Sequence, residues 1–130
     1  MKLLLDTHTF IWFVFNAPDL PLPTRELLED ATTELYFSHA SVWEMAIKVS
    51  IGKLNFSQKV TALVTAQAQK DDLQLLPITL PHLEIIESLP LPHKDPFDRL
   101  LSAQSLVENL AIVSIDAAFD RYGVNRLWLT

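Results

Sequence analysis

Four acidic residues occupy positions where their side chains could do chemistry together. They are Asp6, Glu44, Asp98 and Asp116, and each lies just after an apolar run or within a helical pattern. Carboxylate oxygens are the ligands that hard divalent cations prefer. Carboxylates a few ångströms apart cannot all stay ionised unless their pKa values rise or a cation compensates them. The four acids are therefore a candidate metal site, provided that the fold brings them together.

Helix capping is the ordinary alternative for each acid. The candidates for an N-cap position are Asp6, Asp95 and Asp116. Ser41 and Glu44 have the spacing of a capping box. Asp98 would follow Pro96 in the first turn of a helix, where negative charge suits the helix dipole. No single acid decides between capping and chemistry.

The elements that must position these acids follow from the apolar runs. Strands are predicted at residues 2–5, 35–37, 75–78, 111–115 and, more weakly, 126–129. The runs are continuous, which is typical of strands covered on both faces. Helical patterns lie between them, at residues 9–15, 23–33, 41–51, 57–70, 80–88 and 97–109. This alternation predicts an α/β fold with a mainly parallel sheet.

A parallel sheet would gather the acids. Every helix that follows a strand begins at the edge where the strands' carboxyl ends lie. Asp6 and Asp116 come just after predicted strands, and Glu44 and Asp98 lie in helices that arrive at or near that edge. The chain has ten Lys and Arg against sixteen Asp and Glu, a net charge of −6. Such a surface repels nucleic acid unless bound metal inverts the charge locally.

Composition limits the class of protein. The 130 residues are 49% hydrophobic and include no cysteine, so we predict a single domain with one sizeable core in a reducing cytoplasm. The opening MKLLL imitates a signal peptide, but Asp6 and His8 interrupt its apolar region. No apolar run approaches the roughly 20 residues of a membrane span. The scattered histidines lack zinc-binding spacing. A proline-rich stretch at 89–93 is predicted to be an extended connector.

Two further residues could support a site. Ser114, two residues before Asp116, could orient a water on a bound metal, although a strand-end serine that satisfies backbone groups is equally plausible. Arg99 lies beside Asp98, with Lys94 and His93 just upstream, and could meet a phosphate, although solvent exposure is its default.

The ordered motifs resemble those of the PIN-domain ribonucleases, specifically the VapC-like toxins of bacterial toxin–antitoxin pairs. The matching segments are, in order, LLLDTHTFIW, SHASVWEMAIKVSIGKL, HKDPFDRLLSAQ and SIDAAFDRYGVNRLW. The resemblance covers nearly the whole chain and implies a three-layer fold, a five-stranded parallel sheet flanked by helices. It matches the family's acidic site to Asp6, Glu44, Asp98 and Asp116, and places Ser114 where the family often has Thr or Ser. Asp120 would stand near this site as a secondary acid.

The resemblance also implies a chemistry and partners. The four carboxylates would hold Mg²⁺ or Mn²⁺ for the hydrolysis of an RNA phosphodiester. Asp6 and Asp98 would be direct ligands, whereas Glu44 and Asp116 would coordinate directly or through water. An antitoxin protein that lies across the acidic groove, a homodimer and a cytoplasmic location are the remaining implications.

Two other functions stay open at this point. An Asp after the first strand is also the nucleophile of aspartyl-phosphate phosphotransfer enzymes. Phosphatases of that kind require a second Asp at the position where this sequence has His8. Receiver domains require an acidic pair at the first strand, which is not evident here. A catalytically silent PIN-like binding module is the second alternative, and it would be favoured by the loss of one of the acids.

Overall fold

The computed structural model describes residues 1–91 and 94–130, and five parallel strands form its centre. The strands are β1 (Lys2–Leu5), β2 (Glu34–Ser38), β3 (Gln74–Leu76), β4 (Ala111–Val113) and β5 (Arg126–Leu127). Their order in the sheet is β3-β2-β1-β4-β5. The predicted five-stranded parallel sheet is confirmed. The strand predicted at 75–78 ends at Leu76, since Pro77 has no N–H to donate to a neighbouring strand.

Six α-helices and one 3₁₀ helix in the described residues connect the strands. They are α1 (Thr7–Val14), α2 (Leu22–Glu29), α3 (His39–Ser50), α4 (Val60–Lys70), α5 (Leu80–Ile86), α6 (Pro96–Glu108) and the 3₁₀ helix Ala117–Tyr122. All six predicted helices are present, with ends that differ by a few residues. The connector predicted at 89–93 includes Pro92 and His93, which lie outside the described residues.

Alternate side chains of the strands pack on opposite faces of the sheet. On one face, Leu3 and Leu5 of β1 belong to a core with α1 to α4. On the other face, Leu4 and Ile112 belong to a core with α6 and the 3₁₀ helix. The last three residues of β1, Leu3 to Leu5, have no solvent exposure. The predicted three-layer arrangement is therefore confirmed, and it explains why the strands are continuously apolar.

Helix α5 packs along α6 and steadies the helix that carries Asp98. The contact includes a fully buried histidine, His82, whose Nδ1 accepts a hydrogen bond from the Thr79 N–H at 3.0 Å. The other ring nitrogen lies 2.8 Å from Oε2 of Glu108, near the end of α6. Within residues 1–91 and 94–130, no helix is long and apolar enough to cross a bilayer.

Candidate active site

The carboxyl edge of the sheet brings β1 and β4 side by side, and so joins residues far apart in sequence. Leu5 is in register with Val113, and the Asp6 N–H donates to the Val113 carbonyl at 3.1 Å. One residue later, the Ser114 hydroxyl donates to Oδ2 of Asp6 at 2.7 Å. The parallel pairing of two neighbouring strands therefore places Ser114 directly beside Asp6.

Asp6 serves both as a helix cap and as a buried acid. Its Oδ1 accepts a hydrogen bond from the Thr7 N–H at 2.7 Å at the start of α1. Burial raises the pKa of its carboxyl group, while the hydrogen bonds from Ser114 and Thr7 partly oppose that rise. The charge of Glu44 adds to the rise, which shows that the two acids lie within electrostatic range of each other.

Glu44 lies in the second turn of α3, and its two carboxylate oxygens have different partners. The Thr7 hydroxyl donates to Oε1 at 2.6 Å, and the Lys48 ammonium lies 3.0 Å from Oε2. The N-cap of α3 is Ser38, whose side chain accepts from the Ala40 N–H. The capping-box interpretation of Ser41 and Glu44 is therefore wrong, because the helix begins at His39, two residues earlier than the pattern indicated.

Asp98 lies in the first turn of α6, and Asp95 caps that helix as predicted. The Asp95 carboxylate accepts from the N–H groups of Phe97 at 2.8 Å and Asp98 at 3.2 Å. The pKa of Asp98 is raised to about 7, first by burial and then by the charges of Asp95, Asp6, Asp116 and Glu44. The favourable helix dipole does not offset these effects, so the position is costly for a carboxylate in the absence of a cation.

Asp116 completes the group. Its Oδ1 accepts from the Ala118 N–H at 2.9 Å and caps the 3₁₀ helix, while its own N–H donates to the Ser114 hydroxyl at 3.0 Å. Ser114 thus satisfies a backbone N–H, as one of its two predicted roles requires, and it also donates to Asp6, which was not predicted. Its role in orienting a metal-bound water stays a prediction. A cleft of about 370 Å³ runs past Asp98 and Asp116 and is also lined by Lys94 and Arg121.

The donor set is made of carboxylates, which suit a hard divalent cation. In the part of the chain that the structure describes, no three His, Asp or Glu side chains could hold one ion as they stand. Hydrogen bonds from the protein reach oxygens of Asp6 and Asp116, and both oxygens of Glu44 have partners. Burial and then the charges of neighbouring acids raise the pKa of Asp98, and a cation among oxygen ligands would relieve the repulsion between those acids. On donor chemistry, the residues fit a hard divalent cation.

Two other predicted residues lie near the acids but have partners of their own. Arg99 donates from Nη2 to the carbonyl oxygens of Ile86 at 3.0 Å and Leu89 at 3.2 Å, so its guanidinium holds the end of α5. Asp120 forms two hydrogen bonds with Arg126, at 2.9 and 3.1 Å, which lower the pKa of its carboxyl group. His93 lies outside the described residues.

Sequence reasoning missed two residues that organise the site. Thr7 connects α1 to Glu44, and Arg126 donates from Nη1 to the Ser114 carbonyl at 3.1 Å. The threonine in the segment LLLDTH stands beside Asp6 and is 1% exposed. A buried threonine hydroxyl needs a hydrogen-bond partner, and this need is the signal that would have identified it.

The chain is a three-layer α/β protein with four carboxylates at the carboxyl edge of its parallel sheet. The profile of the PIN domain family matches residues 3–125. The chain belongs to the PIN domain family. PIN domains are in general nucleases, and PIN-domain nucleases generally use divalent metal ions. No curated protein matches the sequence.

Solved structures share the fold. The chain is similar to VapBC2 from Rickettsia felis, bound to a DNA fragment from their promoter, with 15% identity, a TM-score of 0.74, and coverage of 99% of this chain and 100% of that one. VapBC-1 from nontypeable Haemophilus influenzae gives 18% identity, a TM-score of 0.67 and coverage of 98% and 97%. FitAcB from Neisseria gonorrhoeae gives 23% identity, a TM-score of 0.59 and coverage of 96% of both chains. At these sequence identities, the similarity establishes that this chain shares the fold of those proteins.

Proposed function

We propose that this PIN domain is an endoribonuclease that depends on Mg²⁺ or Mn²⁺ and acts as the toxin of a toxin–antitoxin pair. The observation that carries the proposal is the convergence of Asp6, Glu44, Asp98 and Asp116, from four separate elements, with a pKa of about 7 at Asp98. Membership of a nuclease family favours hydrolysis of a phosphodiester over the phosphotransfer alternative. The choice of RNA over DNA rests on the resemblance to VapC-like toxins.

In this proposal the four carboxylates would hold the metal, with Asp6 and Asp98 as direct ligands. Glu44 and Asp116 would coordinate directly or through water. When bound, a divalent cation would supply positive charge to the phosphodiester and lower the pKa of water. These contributions require ligands that are already aligned before the substrate arrives.

The protein's own groups provide that alignment. Ser114 fixes Oδ2 of Asp6, and Thr7 fixes Oε1 of Glu44, so two of the four acids are oriented by hydroxyl donors. The turn at Asp116 is held by the hydrogen bonds that begin the 3₁₀ helix. The neighbouring cleft includes Lys94 and Arg121, whose charges suit an RNA backbone that enters beside the acids.

The test is cleavage of an end-labelled structured RNA by purified protein with Mg²⁺, with Mn²⁺ or with EDTA. We expect cutting only with metal and none by Asp98→Asn. Asp72→Asn is a matched control, because Asp72 is exposed and has a φ of 52°, which asparagine tolerates well. Equal cutting by wild type and Asp98→Asn would reject the nuclease site. If neither protein cuts RNA with either metal, the catalytically silent binding module is favoured.

An apolar rim beside the acids supports the antitoxin partner. Trp43, which precedes Glu44, is 56% exposed, and its ring meets that of Phe97, which precedes Asp98, edge-on at 5.1 Å. Ile47 and Ile51 extend the exposed apolar surface along α3 and beyond its end. Apolar walls beside an acidic cleft suit a segment that carries apolar and basic side chains. Similar solved structures are VapBC and FitAcB assemblies.

Growth of a bacterial host tests the toxin role. Induced wild-type protein should stop growth, Asp98→Asn should not, and the co-expressed antitoxin should restore growth. Trp43→Ser should remain toxic but escape the antitoxin, because the rim contributes to binding and not to hydrolysis. Continued growth with active wild-type protein would reject the toxin role while leaving the nuclease intact.

A homodimer and a cytoplasmic location complete the proposal. Both come from the resemblance, and the dimer agrees with exposed large apolar side chains such as Leu22, Ile51 and Leu80. Light scattering during gel filtration would give twice the 14.8 kDa mass for a dimer. A mass of one chain at micromolar concentration would reject it.

A further inference from the structure

Lys48 places a positive charge among the acids of the proposed metal site. Its ammonium lies 3.0 Å from Oε2 of Glu44, one helical turn away on α3. The Glu44 side chain is only 15% exposed and that of Lys48 is 29% exposed. Screening by solvent is therefore weaker here than in an exposed helical ion pair, and the contact has more influence on the charge of the site.

The two oxygens of Glu44 differ in how freely they could bind a metal. Oε1 accepts from the Thr7 hydroxyl, which is neutral and buried, and an oxygen can accept that bond while it binds a cation with its other lone pair. Oε2 faces the Lys48 ammonium, whose positive charge repels a divalent cation at the same oxygen. Lys48 and the metal thus have a common target on Glu44.

We propose that Lys48 is a positioning residue that competes with the divalent cation for Glu44. It compensates the Glu44 charge before an ion binds. Its positive charge opposes a divalent cation at Glu44, and it must leave Oε2 when that oxygen becomes a ligand. This inference rests on the proposed metal-dependent function and deepens it. Its consequence is that Lys48 weakens metal binding, so the site fills only at a higher concentration of free metal.

The experiment measures Mn²⁺ affinity by isothermal titration calorimetry of the full chain without RNA. We expect Lys48→Met to bind Mn²⁺ about three- to fivefold more tightly than wild type, which is the upper part of the range for ion pairs near the surface. Lys48→Arg keeps the charge and should stay within about twofold of wild type. Lys48→Gln is a second neutral variant and should behave as Lys48→Met does.

Lys53→Met is the matched control for net charge. Lys53 is exposed just beyond α3, and its substitution removes the same charge at a site without an ion pair among the described residues. We expect its Mn²⁺ affinity to equal that of wild type within about twofold, because distant surface charges are screened. A gain equal to that of Lys48→Met would attribute the effect to net charge and overturn the inference.

Thermal melting gives an independent readout. In EDTA, Lys48→Met should melt below wild type, because Glu44 then lacks its counter-charge, and saturating Mn²⁺ should remove that difference. If wild type binds Mn²⁺ as tightly as Lys48→Met does, or more tightly, Lys48 does not compete with the metal. The proposed function would not be affected by that result. Absence of Mn²⁺ binding in every variant would reject the metal site itself, and the inference with it.

Discussion

The two edges of the sheet both collect acidic side chains, but they hold them under different conditions. At the amino edge, a cleft of about 480 Å³ is lined by five acids, Glu29, Asp30, Glu34, Asp71 and Asp72. At the carboxyl edge, the cleft beside Asp98 and Asp116 is smaller, at about 370 Å³. Neither the number of acids nor the space in front of them distinguishes the candidate site.

Burial and hydrogen-bond donors distinguish the two edges. Asp30 is exposed, and hydrogen bonds from the backbone N–H and hydroxyl of Thr32 lower the pKa of its carboxyl group. Asp98 is half-buried, and each of the five main contributions to its pKa raises it. A carboxylate with donors and water is stable as an anion, whereas one crowded by other acids gains from a cation. The comparison favours the carboxyl edge over the amino edge for the metal of the proposed function.

The largest expected effect comes from Asp6→Asn. Asparagine keeps an oxygen that can accept from the Thr7 N–H, so α1 stays capped, but it removes the charge of a proposed direct ligand. We expect single-turnover RNA cleavage to slow by more than about 100-fold, since even the partners of metal ligands contribute about 10- to 100-fold.

Asp30→Asn provides the matched change at the amino edge. Its carboxylate also accepts a backbone hydrogen bond, from Thr32, but it stands apart from the carboxyl-edge acids. Cleavage by this variant should equal that of wild type within about twofold, as expected for a surface substitution. Similar losses in the two variants would remove the distinction between the edges.

A smaller effect is expected from Thr7→Val. The substitution keeps the buried volume but removes the hydroxyl that donates to Glu44. We expect kcat to fall about tenfold with little change in KM for RNA, because the loss concerns ligand orientation and not substrate contact. Steady-state kinetics with a fluorescent RNA would measure the two constants separately.

Thr24→Val separates orientation from stability. Thr24 is also fully buried, and its hydroxyl donates to the carbonyl of Leu129 and accepts from its N–H. This variant should lose about 2 kcal/mol of stability but keep kcat at temperatures where it is folded. An equal loss of kcat in both variants would show that Thr7 acts through the fold alone.

The sequence contains enough information for the sheet and for the convergence of the acids. Continuous apolar runs such as LLL in β1 require cover on both faces, and alternation with helices then requires parallel strands. Parallel strands bring Asp6 and Asp116 to one edge, so the predicted proximity followed from topology alone. The N-cap role of Asp95 was also predictable from the sequence, because Asp followed by Pro is a local signal for the start of a helix.

The partners of the acids could not be predicted in the same way. The hydrogen bond between Thr7 and Glu44 spans 37 residues and depends on how α1 meets α3. The start of α3 at His39 places Glu44 in the second turn, which no capping rule requires. The partners of Arg99 and Asp120 likewise depend on tertiary packing. Arg99 donates to a carbonyl at the end of α5, and Asp120 accepts from Arg126. Such choices depend on side-chain directions in the assembled fold.

The smallest expected effect is on stability. In EDTA at pH 8, Asp98→Asn should stabilise the protein by roughly 1 to 2 kcal/mol, well below what the whole pKa shift would give, because the side chain is partly screened by solvent. This corresponds to a rise of about 3 to 8 °C in Tm by calorimetry. Saturating Mg²⁺ should reverse the order, since the wild type alone keeps every ligand.

The pH dependence of that difference identifies its cause. The pKa of Asp98 is about 7 in the folded chain against 3.8 for an ordinary Asp, so between these values the folded state retains a proton that the unfolded state has lost. Stability of the wild type therefore falls as pH rises through this window, and the penalty is complete above pH 7. The advantage of Asp98→Asn should be absent near pH 4 and grow towards pH 8. An advantage of the same size at every pH would assign it to packing, and the carboxyl edge would then carry no more electrostatic strain than the amino edge.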